Sequence, residues 1–398
     1  MEETVEAVLA AMREGVAAGV PRLWPTPEWD VGEVKAGFIA GAPYRGRPTR
    51  LFAYWGVPAR PDGGKVPGIV LVHGGGGSAF HRWVRLWNER GYAAISVDTC
   101  GNVSGNVHGD EQTGHVRHEW AGPEGWHACF GQIDEPVEDQ WPFHAMAATL
   151  AANTFLGSLP GVDAARIGLT GISWGAVVAC LAAGADPRFC FCAPVYGCGF
   201  LVEDADAFAP QFQLDAVMSP AQKGKWERLW DPRHYLPLAK MPFLWVGGTN
   251  DFAFSMRAVQ RSADALPSPA WRCTRVRMVH GHGAAGENPG EIQAFADWAV
   301  GRGPQPPRCI GQSRRGDRAV ARFDTGGMAI VRASLCHTLD GGGLTGRLWR
   351  ETPMEVADGR TEAPLPSGTT AWFANVVTDG GLVASSGLAS TWPVMYNT

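Results

Sequence analysis

The sequence is short of charge. Asp, Glu, Lys and Arg together make up 18% of the 398 residues, against about 25% in an ordinary soluble protein. No basic run appears, and a formal net charge of −5 with a pI near 6.1 offers no electrostatic footprint for nucleic acid or an anionic membrane. Long apolar runs are missing too, and none approaches the ~20 residues that a membrane span needs. The opening MEETVEAVLAAMREGVAAGVPRLWP carries Glu where a secretory leader carries Lys or Arg, and its apolar residues line one face of a helix, so a cytoplasmic location is the expectation. The nine cysteines are an odd number without paired spacing or a CxxC, which argues against a disulfide framework and for buried, reduced thiols. Internal repeats and low-complexity tracts are absent, and no heptad or seam marks an interface between copies.

What is there is an alternation of short apolar strands and amphipathic helices. VPGIVLVHG, FHRWVRLWNERG and YAAISVDTCG read as strand, helix and strand from residue 66. The pattern resumes with PFHAMAATLAANTFLGSL, ARIGLTG, WGAVVACLAAGA and RFCFCAPVYG, and again with MPFLWVGGTND, SMRAVQRSADAL, WRCTRVRMVHG and PGEIQAFADWAVG. Continuous apolar strands separated by helices are what a doubly wound, mostly parallel sheet requires, because each strand is buried on both faces. VKAGFIAGAPYRGRPTRLFAYWGVP ahead of it reads as an antiparallel edge pair. The expected layout is an N-terminal helical segment (1–33), an α/β domain (34–300) with insertions at 101–141 and 199–235, and a Pro/Gly-rich linker (301–308). A small β-sandwich domain (309–398) follows, its strands alternating between Gly-rich turns.

The chemistry begins at LTGISWGAVVAC. Here G-x-S-x-G sits between an apolar strand and a helix, where a sharp turn demands small residues on either side of Ser173; Gly171 and Gly175 meet that demand. Such a turn holds the hydroxyl above the sheet edge, beside a helix N-terminus that favours developing negative charge. A nucleophile needs a base, and the base needs an orienting acid, each in a loop after a later strand. Asp251 ends FLWVGGTND and His282 lies in HGHG after TRVRMV. His280 competes there, but it is nearer the strand, whereas Gly281 and Gly283 give His282 an accessible setting; His282 is therefore the expected base. The backbone N–H of Trp174 and one from HGGGG (residues 73–77), with Gly75 preferred, are the expected oxyanion donors. HGGGG lacks the Lys and Ser/Thr of a P-loop and the spacing of a dinucleotide fingerprint, so no cofactor is expected.

Together HGGGG, GISWG, GGTND and HGHG resemble the α/β-hydrolase superfamily, and most nearly its acetylxylan esterase and dienelactone hydrolase-like branch, over about residues 34–300. The resemblance implies a serine hydrolase with Ser173 as nucleophile, His282 as general base and Asp251 as its orienting acid. Dienelactone hydrolases carry Cys at the elbow where this chain has Ser, so the implied activity is carboxylic ester hydrolysis through an acyl-enzyme, on a small-molecule or carbohydrate ester. A prolyl oligopeptidase-like peptidase is the rival enzymatic reading, although the short stretch before the first strand leaves no room for that group's propeller. A non-catalytic binding protein on a hydrolase fold is the third.

The insertions flank the carboxyl ends of the strands, where ligands bind in such sheets. The first holds His108, His115, His118, Trp120, Trp126, His127 and Trp141 and reads as a lid, with Trp126, Trp141 and His280 as candidate substrate contacts. His115, His118 and Glu119 invite a metal, but match no zinc template, so no metal is assigned. The second, with Phe200, Phe208, Phe212, Trp226 and Trp230, reads as the opposite wall, and 17 tryptophans suit stacking on sugar rings.

Overall fold

The structure, a computed structural model, describes residues 3–16, 19–59, 63–108 and 111–390. Residues 391–398 of the expected C-terminal domain, parts of the N-terminal segment and of the first insertion, and the His108 side chain lie outside the described residues. Helix α1 (Val5–Ala11) starts at Thr4, whose hydroxyl accepts the Ala7 N–H at 3.2 Å, and buries Val8 and Leu9. Strands β1 (Leu23–Pro25), β2 (Lys35–Tyr44) and β3 (Arg47–Gly56) follow. Arg45 and Gly46, at φ 49° and 73°, turn β2 into β3, as a two-residue hairpin requires.

The alternation then runs β4 (Val66–Val72), α2 (His81–Glu89), β5 (Ala93–Val97), and a hairpin of β6 (Asn102–His108) and β7 (Glu111–Arg117). Next come α3 (Trp141–Ser158), β8 (Val162–Ile172), α4 (Trp174–Ala185) and β9 (Phe189–Val195). The second insertion folds into α5 (Phe208–Gln211), α6 (Leu214–Val217) and α7 (Pro220–Trp230). The unit closes with β10 (Leu244–Gly248), α8 (Met256–Asp264), β11 (Trp271–Arg275), α9 (Ala284–Glu287) and α10 (Gly290–Ala299).

These strands form one nine-stranded sheet in the order β1-β2-β3-β5-β4-β8-β9-β10-β11. From β5 to β11 every neighbour is parallel, while β1, β2 and β3 join as an antiparallel edge. Every residue of β4 and β5 is buried, which is why they read as unbroken apolar runs. Helix α3 is apolar almost all round and buried along nearly its whole length against the sheet and α4, as expected of a core helix. The chain leaves β4 toward β5 on one side and returns as β8 on the other. That reversal opens a crevice at the carboxyl ends of β4 and β8.

From residue 308 the described residues form strands, with one 3-10 turn at Leu344–Gly346: β12 (Arg308–Arg315), β13 (Arg318–Asp324), β14 (Ile330–Thr338), β15 (Arg350–Pro353), β16 (Glu355–Ala357), β17 (Arg360–Pro364), β18 (Ala371–Thr378), β19 (Val383–Ser385) and β20 (Ala389–Ser390). Two sheets result, β12-β13-β17-β16 and β15-β14-β18-β19, with β20 on β18. Period-two alternation explains their packing. Ala319, Ala321 and Phe323 of β13 meet Leu335 of β14 and Trp372, Ala374 and Val376 of β18 in an inner core. Cys336 and Phe373, on the other face, join Met256 and Val276 of the α/β unit. Polar ties seal this seam: Asn375 Nδ2 donates to the Thr274 carbonyl at 2.9 Å and the Thr274 N–H donates to Ser385 Oγ at 2.7 Å. Asn250 Nδ2 donates to the carbonyls of Thr345 and Arg347, each at 2.8 Å.

All nine cysteines are free, and all but Cys190 and Cys309 are buried. No helix among the described residues is long and apolar enough to cross a membrane.

Candidate active site at the strand ends

Ser173 follows β8 directly and precedes α4, with φ 58° and ψ −121°. A non-glycine residue adopts this region only under strain, of about 1–3 kcal/mol. The glycines around it are fixed by close approach. A Cβ on Gly171 would stand 2.1 Å from the Gly175 carbonyl oxygen, and one on Gly175 would stand 2.1 Å from that of Val72. The Ser173 N–H donates to the Val195 carbonyl at 2.8 Å. Among the described residues Oγ has no partner, which leaves it free at the crevice.

Gly74, in the loop after β4, lies against the serine: a Cβ built on it would be 3.2 Å from Ser173 Cβ and 3.5 Å from His282 Nε2. The N–H of Gly75 and that of Trp174, the first residue of α4, have no hydrogen-bond partner among the described residues. The first N–H groups of a helix have no acceptor within it, so Trp174 supplies an open donor next to Ser173. The Trp126 indole lies flat on the glycine loop, so close that a Cβ on Gly75 would meet its Nε1 at 2.3 Å. His127 bridges Trp126 to Phe212, at 4.6 and 5.1 Å between centroids.

The two histidines of HGHG separate. Asp251 was expected to orient His282; it bonds His280 instead, Oδ2 to Nδ1 at 2.7 Å. Its other oxygen accepts the N–H groups of Ala253 and Phe254, both at 2.9 Å. Capping of α8 falls instead to Ser255, whose hydroxyl accepts the Ala258 N–H. The reason for the exchange is where the loop runs. From the end of β11 it crosses β10 and β9 toward β8, and His280 comes first. Its ring stacks on Tyr196, at the end of β9, with centroids 4.6 Å apart, and Phe252 covers it at 4.7 Å. His280 therefore stands between the strand that carries Asp251 and the strand that carries Ser173. Its Nε2 has no partner among the described residues.

His282 lies farther along, beyond the serine. Its Nδ1 is 2.9 Å from Glu287 Oε1, and its Nε2 accepts the Gly74 N–H at 3.1 Å. Arg82 clamps Glu287 with two bonds, at 2.8 and 3.2 Å. Burial pushes the His282 imidazolium below its usual range, against the pull of the Glu287 hydrogen bond and charge. Burial alone would raise Glu287, but hydrogen bonds from His282 and Arg82 outweigh it and hold the carboxyl at about 2.

Other expectations need correction. Trp141 is 2% exposed and its indole N–H donates to the Thr99 carbonyl at 2.7 Å, so it faces the core and not a substrate. Phe208, Phe212 and Trp226 are likewise buried, packing with Phe130 and Trp174 as the body of the wall, and Trp230 is buried with its indole N–H donating to Gln140 Oε1 at 2.7 Å. Phe200 lies under the guanidinium groups of Arg233 and Arg261. His118 packs edge-on against Phe38. No three His, Cys, Asp or Glu side chains converge as a metal site among the described residues. Sequence reasoning missed Glu287, Arg82, Tyr196 and the exposed Phe252. Tyr196 had a signal in its place at the end of a strand, and Glu287 in being an acid just past the histidine loop.

No family model matches the chain, and no curated protein matches it. Solved structures do. The chain has the α/β-hydrolase fold. An acetyl xylan esterase from Paenibacillus sp. R4 superposes with a TM-score of 0.56 at 18% identity, over 74% of this chain and 92% of that one. Acetyl xylan esterase 1 from Thermoanaerobacterium sp. JW/SL YS485 gives 0.54 at 18% identity, over 75% and 92%. At such identity the likeness is one of fold, and within the hydrolase fold the β12–β20 sheets are an addition.

Proposed function

We propose that the protein is a serine hydrolase of carboxylic esters, with Ser173 as nucleophile, His280 as general base and Asp251 as the acid that orients it. The observation that supports this reading is the Asp251–His280 pair, Oδ2 to Nδ1 at 2.7 Å, with the ring stacked on Tyr196 at the end of β9, the strand between those that end at Asp251 and Ser173, and with Nε2 left open. Ser173 Oγ attacks the ester carbonyl carbon while its proton passes to His280 Nε2, and Asp251 stabilises the imidazolium. The carbonyl oxygen takes up negative charge between the open N–H groups of Gly75 and Trp174. Collapse breaks the ester C–O bond, and the alcohol leaves with the proton from His280. Water then attacks the acyl-serine, giving its proton to the same nitrogen, and the acid departs as Ser173 is restored.

An acetylated sugar is the finer reading of the substrate. Its support is the name of the two esterases that share the fold and the Phe252 ring, 54% exposed beside His280, which offers a flat apolar face for a sugar ring. The test is hydrolysis of p-nitrophenyl acetate and of acetylated xylo-oligosaccharides by the parent and by Ser173→Ala. The variant should lose about 10⁴-fold or more in kcat; hydrolysis at the parent rate would refute the assignment.

A further inference from the structure

The glycine loop after β4 has no side chains with which to hold itself. Glycine loses more conformational freedom on ordering than any other residue, so a loop of four consecutive glycines, residues 74–77, whose own bond runs from the Gly77 N–H to the Gly74 carbonyl at 3.2 Å, depends on groups outside it to grip the backbone further if it is to present a fixed N–H. The Gly74 peptide groups are gripped from both sides, each time by an imidazole. Its carbonyl lies 2.7 Å from His73 Nδ1, and the Thr99 N–H donates to His73 Nε2 at 3.0 Å, which leaves Nδ1 as the donor. The Gly74 N–H donates to His282 Nε2 at 3.1 Å.

We propose that His282 is a positioning residue of the oxyanion loop, fixed by Glu287 and Arg82, and not the group that takes the serine proton; this rests on the serine-hydrolase reading above. A carboxylate can only accept, so Glu287 at 2.9 Å obliges His282 Nδ1 to carry the hydrogen and leaves Nε2 as a lone pair. That lone pair is already engaged by Gly74. Turning it toward Ser173 would orphan the Gly74 N–H, a cost of about 1–3 kcal/mol for a buried group. Arg82 closes the chain: its two bonds fix the carboxylate, and its own place is set by α2, which begins right after the loop. The imidazole is also confined by Phe80 at 4.5 Å and Trp83 at 5.7 Å, both from the start of that helix. With Gly74 held at both its N–H and its carbonyl, the next donor, Gly75 N–H, has one direction left. Trp126 packs the far side of the same glycine. The two histidines of HGHG thus divide the work: one serves the nucleophile, and the other serves the loop that receives the charge.

The experiment compares His282→Ala, His282→Gln and Glu287→Gln with His280→Ala and Ser173→Ala. It uses p-nitrophenyl acetate kinetics together with hydrogen exchange of the peptide that spans residues 73–77. His282→Ala should lower kcat about 10- to 100-fold, the range for a misplaced donor, with KM within about twofold, and should speed exchange in that peptide. His282→Gln, whose amide oxygen can accept the Gly74 N–H, should recover much of both, and Glu287→Gln should fall between. A His282→Ala loss as deep as that of Ser173→Ala would make His282 the base and overturn the proposal. So would unchanged kcat with unchanged exchange. Should His282→Ala fail to fold, the Gln variants carry the same two readouts. If no protein labels with a fluorophosphonate or cleaves an ester, it is the hydrolase reading that fails; exchange in His282→Ala then still decides whether the imidazole holds the loop.

Discussion

Gly175→Ala tests whether the elbow is built by backbone contact. The added Cβ would lie 2.1 Å from the Val72 oxygen and 2.4 Å from the His73 oxygen, where ordinary contact starts near 3.4 Å. Neither oxygen can swing aside, because Val72 is paired to Val97 of β5 on one edge and to Gly171 of β8 on the other. Either α4 lifts or the end of β4 shifts by about 1 Å. Overpacking costs about 1–3 kcal/mol, and backbone on the receiving side places this case near the top. With an unfolding entropy of ~2.1 cal/mol/K per residue, about 3 kcal/mol lowers the melting temperature of a chain this long by roughly 3–4 °C. Because the shift carries His73, and with it the glycine loop, kcat should fall about 100-fold. Calorimetry and p-nitrophenyl acetate kinetics measure the two effects. Gly131→Ala, where nothing lies within 4 Å of the new Cβ, is the control and should stay within about 0.5 kcal/mol. A Gly175→Ala protein that matches this control in both measurements would mean that backbone contact at Gly175 does not shape the elbow.

Asp251→Asn should keep its bonds to the Ala253 and Phe254 N–H groups, hence the fold, but turn an amide donor or a neutral oxygen toward His280 and lose the tautomer that leaves Nε2 basic. A kcat loss of about 10⁴-fold with an unchanged circular dichroism spectrum is expected, and a loss under tenfold would count against His280 as base. For acid stability, both His282 and Glu287 sit below their usual values of 6.5 and 4.5, Glu287 at about 2. The unfolded chain therefore binds more protons, so their contribution is complete above pH 6.5, first declines as the histidine of the unfolded chain protonates, and is lost further between 4.5 and about 2. Melting temperature against pH should show this decline, and Glu287→Gln should flatten its lower part; parallel curves would contradict the pairing. Asn250→Ala removes both bonds from Asn250 to the β14–β15 connection and should cost about 1–3 kcal/mol, read as a lower melting temperature. No change in melting would mean that the seam beside Asp251 does not depend on them.

The sheet was legible because its physics is local in sequence. Strands buried on two faces must be continuous apolar runs, and GISWG sits where one such run meets a helix. The β12–β20 sheets announced themselves by alternation between Gly-rich turns. The histidine loop was not legible, because His280 and His282 differ in sequence only by a flanking glycine. What separates them is how far the loop has travelled across the strand ends, a distance set by the sheet order and by Tyr196 and Glu287, which await them in space. Trp141 misled for a related reason: an aromatic residue in a rim segment looks like a ligand contact until its place at the first turn of the buried α3 is known.

An activated Ser173 should react with a fluorophosphonate. Treating the protein with a fluorophosphonate and locating the adduct by peptide mass spectrometry should find it on Ser173 alone, with labelling slowed to background in His280→Ala and abolished in Ser173→Ala. An unlabelled but folded protein, or an adduct that persists when Ser173 is replaced, would contradict it.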